Sequence, residues 1–283
     1  HRLGAIKNRF KGVSEALTLP TDFVRTANRA RTAKYISFSI DKEITQALEA
    51  IAQHEGTTLF AGVLAAFAAA MGYVARQDSV VIGSPSAGRT MIETENVVGF
   101  MVNTLAVPIQ LSGLDTAYEL MKQARHSIEE ALSDQEIPFE RIVEELGLTR
   151  SLAQSPLVQA LLVYQPFTNA AQAIGNLIAT HQEIAIPTAK FDLSLSIGPN
   201  PEGKLEGTIE YDSDLFLESS VQGWLAVFKS SLNWMGFQPE LSFTECVRVD
   251  AATRQAVLER AAGPRVDHSA QPEHLAALFE AQV

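Results

Sequence analysis

Strands and helices interleave along this chain, which predicts an α/β (α+β) fold: a mixed β-sheet with helices packed on its outer side. Three observations carry that expectation. Short apolar runs, Val80-Val81-Ile82 and residues 157–164, are bounded by glycine, proline or polar loops and read as core strands. Residues 191–197 and 205–211 alternate apolar with polar side chains around Pro199-Asn200-Pro201-Glu202-Gly203, the pattern of an antiparallel hairpin buried on one face. Residues 59–76 are apolar nearly all round, a composition that places a helix in the middle of a core.

Residues 1–34 read as the end of a helix followed by a connecting segment, because Leu19-Pro20-Thr21-Asp22 breaks any helix at its start. Residues 34–40, KYISFSI, alternate and predict a strand with Ile36, Phe38 and Ile40 on one side. Asp41 is placed to cap a helix with the stripe Ile44, Leu48, Ile51 and Ala52, which Gly56 ends. Thr57 or Thr58 caps the apolar helix. Val80-Val81-Ile82 then predicts a strand broken by Gly83-Ser84-Pro85, followed by a polar loop. A second apolar strand is expected from Val97, with Asn103 inside it. Asp115 is expected to start an amphipathic helix carrying Leu120, Met121, Ala124 and Ile128. After a break at Asp134-Gln135-Glu136-Ile137, Pro138 opens a short helix that Gly147 closes. Residues 149–156 read as a polar loop and 166–189 as irregular. Ser219 or Ser220 caps a helix whose stripe is Val221, Trp224, Leu225, Phe228, Leu232 and Met235. Residues 239–272 have linker character, and 273–283 begin a last helix.

Composition narrows the function classes. A chain of 283 residues with 46% hydrophobic and 19% charged side chains is globular and long enough for a large core or two domains. The net charge of −11 argues against a general nucleic-acid binder, since phosphate contacts need clustered Lys and Arg. The charge is uneven, however. Residues 1–34 hold eight basic and two acidic side chains, a net of +6, so the rest of the chain carries −17. That segment is either a solvated entry lying on an acidic body or a phosphate contact. Cys246 is the single cysteine, which forbids an internal disulfide and a cysteine-rich zinc site and fits a reducing, cytoplasmic setting. No charged n-region leads into an apolar h-region, and the apolar stretch 59–75 is slightly short for a membrane span, so no membrane partner is expected. His1 is not an initiator methionine, so the chain is expected to start inside a longer protein or after processing.

Few residues announce chemistry by type and spacing. No two of the six histidines have metal-ligand spacing with a third partner, and His54 and His126 fall on solvent-facing helix positions. There is no G-x-S-x-G, no P-loop and no G-x-G-x-x-G. The stretch 80–107 stands out instead: a loop with Gly, Ser, Pro and Arg between two core strands is a natural place for function. Arg89 is an anion ligand or an ion-pair partner. Asn103 either pins neighbouring backbone or faces a polar cavity, because a buried amide needs partners.

Segments of this stretch, Ile82-Gly83-Ser84-Pro85-Ser86-Ala87-Gly88-Arg89 and Val98-Gly99-Phe100-Met101-Val102-Asn103-Thr104-Leu105, resemble the condensation domains of non-ribosomal peptide synthetases. Asp134-Gln135-Glu136-Ile137-Pro138-Phe139-Glu140 resembles the family's H/N-Q-D-x-P-F-E motif, and Arg150-Ser151-Leu152-Ala153-Gln154-Ser155-Pro156-Leu157 its R-D-x-S-R-N-P-L motif. Lys190-Phe191-Asp192-Leu193, residues 205–216 and Leu19-Pro20-Thr21-Asp22 fit as well. The resemblance covers about residues 1–240; beyond it, residues 251–263 and 274–283 are similar to the linker and first helix of an adenylation domain. Met101 stands where the family has Phe and Pro108 where it has Arg. Ser151, Ala153, Gln154 and Ser155 replace polar or charged residues.

The resemblance implies a chloramphenicol-acetyltransferase-like lobe, the C-terminal one of two that form a V around a tunnel. Residues 1–34 would be the inter-lobe connection, 35–240 the C-terminal lobe, 241–272 the condensation–adenylation linker and 273–283 the start of the adenylation domain. Its partners would be the N-terminal lobe, donor and acceptor carrier proteins, and the adenylation domain. No cofactor would bind this chain directly; the carriers bring phosphopantetheine arms bearing thioesters, and the acceptor amine attacks the donor carbonyl. The catalytic H-H-x-x-x-D-G belongs to the other lobe, and no adjacent His pair occurs here, so this chain holds no catalytic residue and alone is expected to be inactive. Ser84, Pro85, Gly88, Arg89, Asn103 and Thr104 are expected at the tunnel and substrate arm, and Arg141 with Phe139 at the acceptor carrier or its phosphopantetheine. The alternatives are a degenerate module that binds carriers or recruits partner enzymes, or an epimerisation or heterocyclisation relative.

Overall fold

A computed structural model describes residues 2–246 except 114–115, 149–150, 167–171, 175–176, 180–183 and 185. The chain divides into two compact units, His1–Val247 and Arg248–Val283. The second, with most of the expected linker and the whole expected last helix, lies outside the described residues, as do Asp115 and Arg150.

The first unit is built on a six-stranded mixed sheet. Its strands are β1 (Ala33–Ile40), β2 (Ser79–Ser86), β3 (Asn103–Gln110), β4 (Ala160–Tyr164), β7 (Leu193–Pro199) and β8 (Leu205–Asp212). They lie in the order β1-β8-β7-β4-β2-β3. Strand β4 runs parallel to both neighbours, β2 and β7, while the other pairs are antiparallel. Two short strands, β5 (Gln172–Ile174) and β6 (Leu177–Ala179), form a separate ribbon within the stretch read as irregular.

Four helices cover one face of the sheet: α2 (Lys42–His54), α3 (Leu59–Ala75), α4 (Ala117–Ser133) and α6 (Glu218–Phe237). The apolar helix α3 sits centrally, with Ala61 through Gly72 all buried. Thr58 caps it by accepting a hydrogen bond from the Ala61 amide, and Arg76 ends it in the left-handed conformation. Phe67 and Phe228 meet edge to face at 5.8 Å between α3 and α6, and the whole expected stripe of α6 is buried. A short helix α7 (Phe243–Cys246) follows α6, with Phe243 against Trp234.

The opposite face carries a smaller core at the β2–β3 end. Val81 and Ala106 point there, where α1 (Arg2–Arg9) contributes Ile6 and α5 (Phe139–Glu145) contributes Ile142. Their neighbours Val80, Ile82, Leu105 and Val107 point into the main core, as alternation along a strand requires. Pro108 belongs to edge strand β3, where a missing N–H costs no ladder bond.

Several local expectations are corrected. Strand β2 does not break at Gly83-Ser84-Pro85; it pairs in register with β3 to Ser86↔Asn103. Pairing on both sides holds Gly83, and Pro85 lies near the exposed end. The second strand begins at Asn103 rather than Val97, since Val98 and Phe100 are 101% and 92% exposed and bury nothing. Asp41 makes no side-chain cap to α2. Thr116, with a reciprocal Glu119, caps α4. Helix α6 starts at Glu218, and its cap comes from far away: Asp22 accepts from the Leu217 amide at 2.8 Å and the Ser220 hydroxyl at 2.9 Å.

Candidate functional site

Strands β2 and β3 end together, so residues 87–102 form a loop closed at its base by the Ser86↔Asn103 pair. Two features keep the loop compact. Gly88 has φ +64°, and a Cβ there would collide with the Met101 carbonyl oxygen. The Arg89 guanidinium donates to the carbonyls of Thr94 and, at 2.8 Å, Val97, and lies 3.5 Å from the Met101 sulfur. The Arg89 donors thus hold the loop's own backbone. Outside this frame Met91, Ile92, Val97, Val98, Phe100 and Val102 are exposed.

The loop is tied to the 134–139 turn by side chains. Asn103 Nδ2 donates to the carbonyls of Gln135 at 2.9 Å and Ile137 at 2.8 Å. Its Oδ1 accepts from the amides of Thr104 at 2.9 Å and Phe139 at 3.2 Å. Both amide donors are used, and the acceptor also serves the first residue of α5, whose N-cap Pro138 offers no side-chain bond. Ser86 donates to Gln135 Oε1 at 2.7 Å, and Thr90 to Glu136 Oε1 at 3.0 Å. Asp134, which stands at the His/Asn position of the resembled motif, is held at 2.6 Å by Arg9.

Two cavities adjoin at Phe139 and Glu140. One, about 420 Å³, lies between the loop and the turn and brings together Gly88, Asn103, Thr104 and Phe139 of the expected site residues. The other, about 390 Å³, is walled by Phe139, Glu140 and Val143 on α5 and by Ser151, Leu152 and Pro156 opposite. Ser84 is buried within β2, and Pro85 is exposed beside it. Arg141 is exposed on α5 and paired with Glu144 at 3.1 Å.

Sequence reasoning left Gln135, Glu136, Glu140, Ser151 and Leu152 off its site residues although it quoted both motifs that contain them. It also missed a buried ion-pair network. Arg25 binds Asp192 in bidentate fashion at 2.9 and 2.6 Å, and Arg29 binds Asp212 at 2.7 Å. The excess of positive charge in residues 1–34 was its signal. Three of those arginines, Arg9, Arg25 and Arg29, pair with carboxylates of the body, so neither a solvated entry nor a phosphate contact describes them.

Among the described residues no group of His, Cys, Asp and Glu could hold a metal ion. His54 and His126 are exposed and pair with Glu55 and Glu130. The shifted ionisations lie away from the site. The Lys122 ammonium holds the Glu55 carboxyl below its usual range, and burial raises the Tyr164 and Tyr211 hydroxyls. No single described helix is long and apolar enough to cross a membrane.

The family model named Condensation domain matches residues 7–258. This chain belongs to the condensation-domain family. Its relatives include large peptide synthetases. Malpinin synthetase of Mortierella alpina is 35% identical over 76% of this chain. Phosphinothricin tripeptide synthetase PhsB of Streptomyces viridochromogenes is 39% identical over 74%. The condensation-domain chain spans only 3% of the first and 18% of the second. In three dimensions it is similar to a four-domain nonribosomal peptide synthetase, holo-AB3403 bound to AMP and glycine. The TM-score is 0.84 at 22% identity, covering 99% of this chain and 22% of that one. A second neighbour is the X-domain in complex with OxyB from teicoplanin biosynthesis, with TM-score 0.79 at 21% identity, covering 88% and 55%. Both likenesses establish the chloramphenicol-acetyltransferase-like α+β fold.

Proposed function

We propose that this chain is the C-terminal lobe of a condensation domain that joins a donor acyl or peptidyl group to an acceptor amine, both carried as thioesters. The acceptor nitrogen attacks the donor carbonyl, the amide C–N bond forms, and the C–S bond breaks with release of the donor carrier's thiol. The nitrogen's proton leaves to a base that this chain does not supply. The chain's part is to hold the acceptor arm and to wall the space in which the ends meet, which contributes through proximity.

One observation carries the reading: Asn103 joins the 87–102 loop to the turn that presents Phe139, so two family motifs build one cavity. The adjoining slot beside Phe139 and Leu152 has the apolar walls that suit a thin phosphopantetheine chain. Arg141 would meet its phosphate, because the exposed pair with Glu144 is worth only about 0–1 kcal/mol and yields readily to a phosphodiester, whose anionic oxygens suit a guanidinium. The exposed apolar side chains of the loop would be covered by the N-terminal lobe.

The test uses the complete condensation domain with loaded donor and acceptor carriers. Phe139→Ala and Arg141→Ala should each raise the acceptor concentration giving half-maximal rate, with donor dependence unchanged. Unchanged acceptor dependence in both would sink the assignment. The departures at Ser151, Ala153, Gln154 and Ser155 favour a second reading, a module that binds carriers or recruits enzymes without chemistry. Carrier binding without any amide product from the complete domain would select it.

A further inference from the structure

Resting on the acceptor-side reading above, we infer that residues 17–29 are a positioning clamp that sets the width of the slot beside Phe139. The slot's outer wall is the loop bearing Ser151, Leu152 and Pro156. That loop has no regular hydrogen-bonded structure of its own, and Leu152 is 82% exposed. Something must hold it, or the slot has no fixed width.

Side chains hold two of the loop's carbonyls, one directly from residues 17–29 and one through Gln159, which is itself bonded to that segment. The Ala153 oxygen accepts from Arg29 Nη1 at 2.6 Å and from Arg25 Nη1 at 3.4 Å. The Ser155 oxygen accepts from Gln159 Nε2 at 2.6 Å, and Gln159 Oε1 accepts from the Leu17 amide at 2.6 Å. The arginines are in turn fixed to the sheet. Asp192 precedes β7 and Asp212 ends β8, side by side at one end of the hairpin, and their side chains are 4% and 1% exposed. Two guanidiniums balance two carboxylates, so the buried network is neutral and fully engaged. The loop is therefore referenced to the rigid sheet through side chains of the segment that leads into it.

The planar fork explains why arginine is used. One guanidinium reaches a carboxylate and a carbonyl at once, which a lysine ammonium cannot do with the same geometry. Arg29→Lys keeps the charge for Asp212 and gives up the Ala153 carbonyl. In the complete domain, Arg29→Lys should raise the acceptor half-saturation about tenfold, the size of one charge-assisted hydrogen bond. The kcat at saturating acceptor and the donor dependence should stay near wild type. Arg29 is nearly buried, so Arg25→Lys, at a more exposed position, decides the matter if Arg29→Lys does not fold; it should raise acceptor half-saturation more weakly.

Phe139→Ala, measured alongside, separates the two levels of the argument. If Phe139→Ala raises acceptor half-saturation and the folded lysine variants leave it unchanged, the clamp is wrong and the slot stands. A parallel fall in kcat, donor and acceptor dependence would make the network merely structural and overturn the clamp. If Phe139→Ala also changes nothing, the slot is not the acceptor site and the clamp falls with it.

Discussion

Asn103 shows how much one side chain organises. Its four hydrogen bonds reach three different stretches: its own strand, the 135–137 turn and the first turn of α5. Asn103→Ala strands two carbonyls and the Phe139 amide and should destabilise the unit by about 2 kcal/mol, read from urea unfolding. Asn103→Asp should cost at least as much, because it sets a carboxylate oxygen against two carbonyl acceptors. Equal stability of all three would mean water satisfies these groups. The sequence made Asn103 conspicuous, as an amide inside an apolar run, but not its partners Gln135, Ile137 and Phe139, which lie over thirty residues away. Arg89 was conspicuous too, but its bonds to the Thr94 and Val97 carbonyls were not legible, since residue type cannot distinguish an anion from a backbone carbonyl as the acceptor.

At the scale of elements, the strongly periodic segments were legible and their ends were not. The stripe of α6 and the alternation of β7 and β8 come from burial on one face, which periodicity records directly, and the all-round apolar composition of α3 from burial on every side. Caps depend on geometry that periodicity does not record. Asp22 caps α6 across 195 residues, while Ser219 and Ser220 are inside the helix. Asp22→Ala should cost about 1 kcal/mol, as loss of a local cap does, and should shift the urea midpoint without changing its slope. No shift would show that the helix start is held by packing alone. The 97–102 run was read as strand because its apolar side chains were assumed to be core, whereas Val98 and Phe100 are exposed. An apolar residue kept for a partner and one kept for the core look alike in a single sequence.

For the whole molecule, the mixed sheet with helices on its outer side was expected and is present, with α1 and α5 added on the other face. The family was legible because its motifs sit in order along the chain, and the match to residues 7–258 establishes it. The charge asymmetry was legible as a number but not as a structure: it became buried ion pairs that bind the basic segment to the sheet. The central claim is that this chain is half of a catalytic tunnel, rich in positioning groups and without an adjacent histidine pair. The most direct measurement is mass-spectrometric detection of the amide product on the acceptor carrier, comparing the complete condensation domain with this chain alone under the same loaded carriers. The account predicts product from the complete domain and none from the chain by itself. Turnover by the chain alone, or none from a complete domain whose histidine motif is intact, would contradict it.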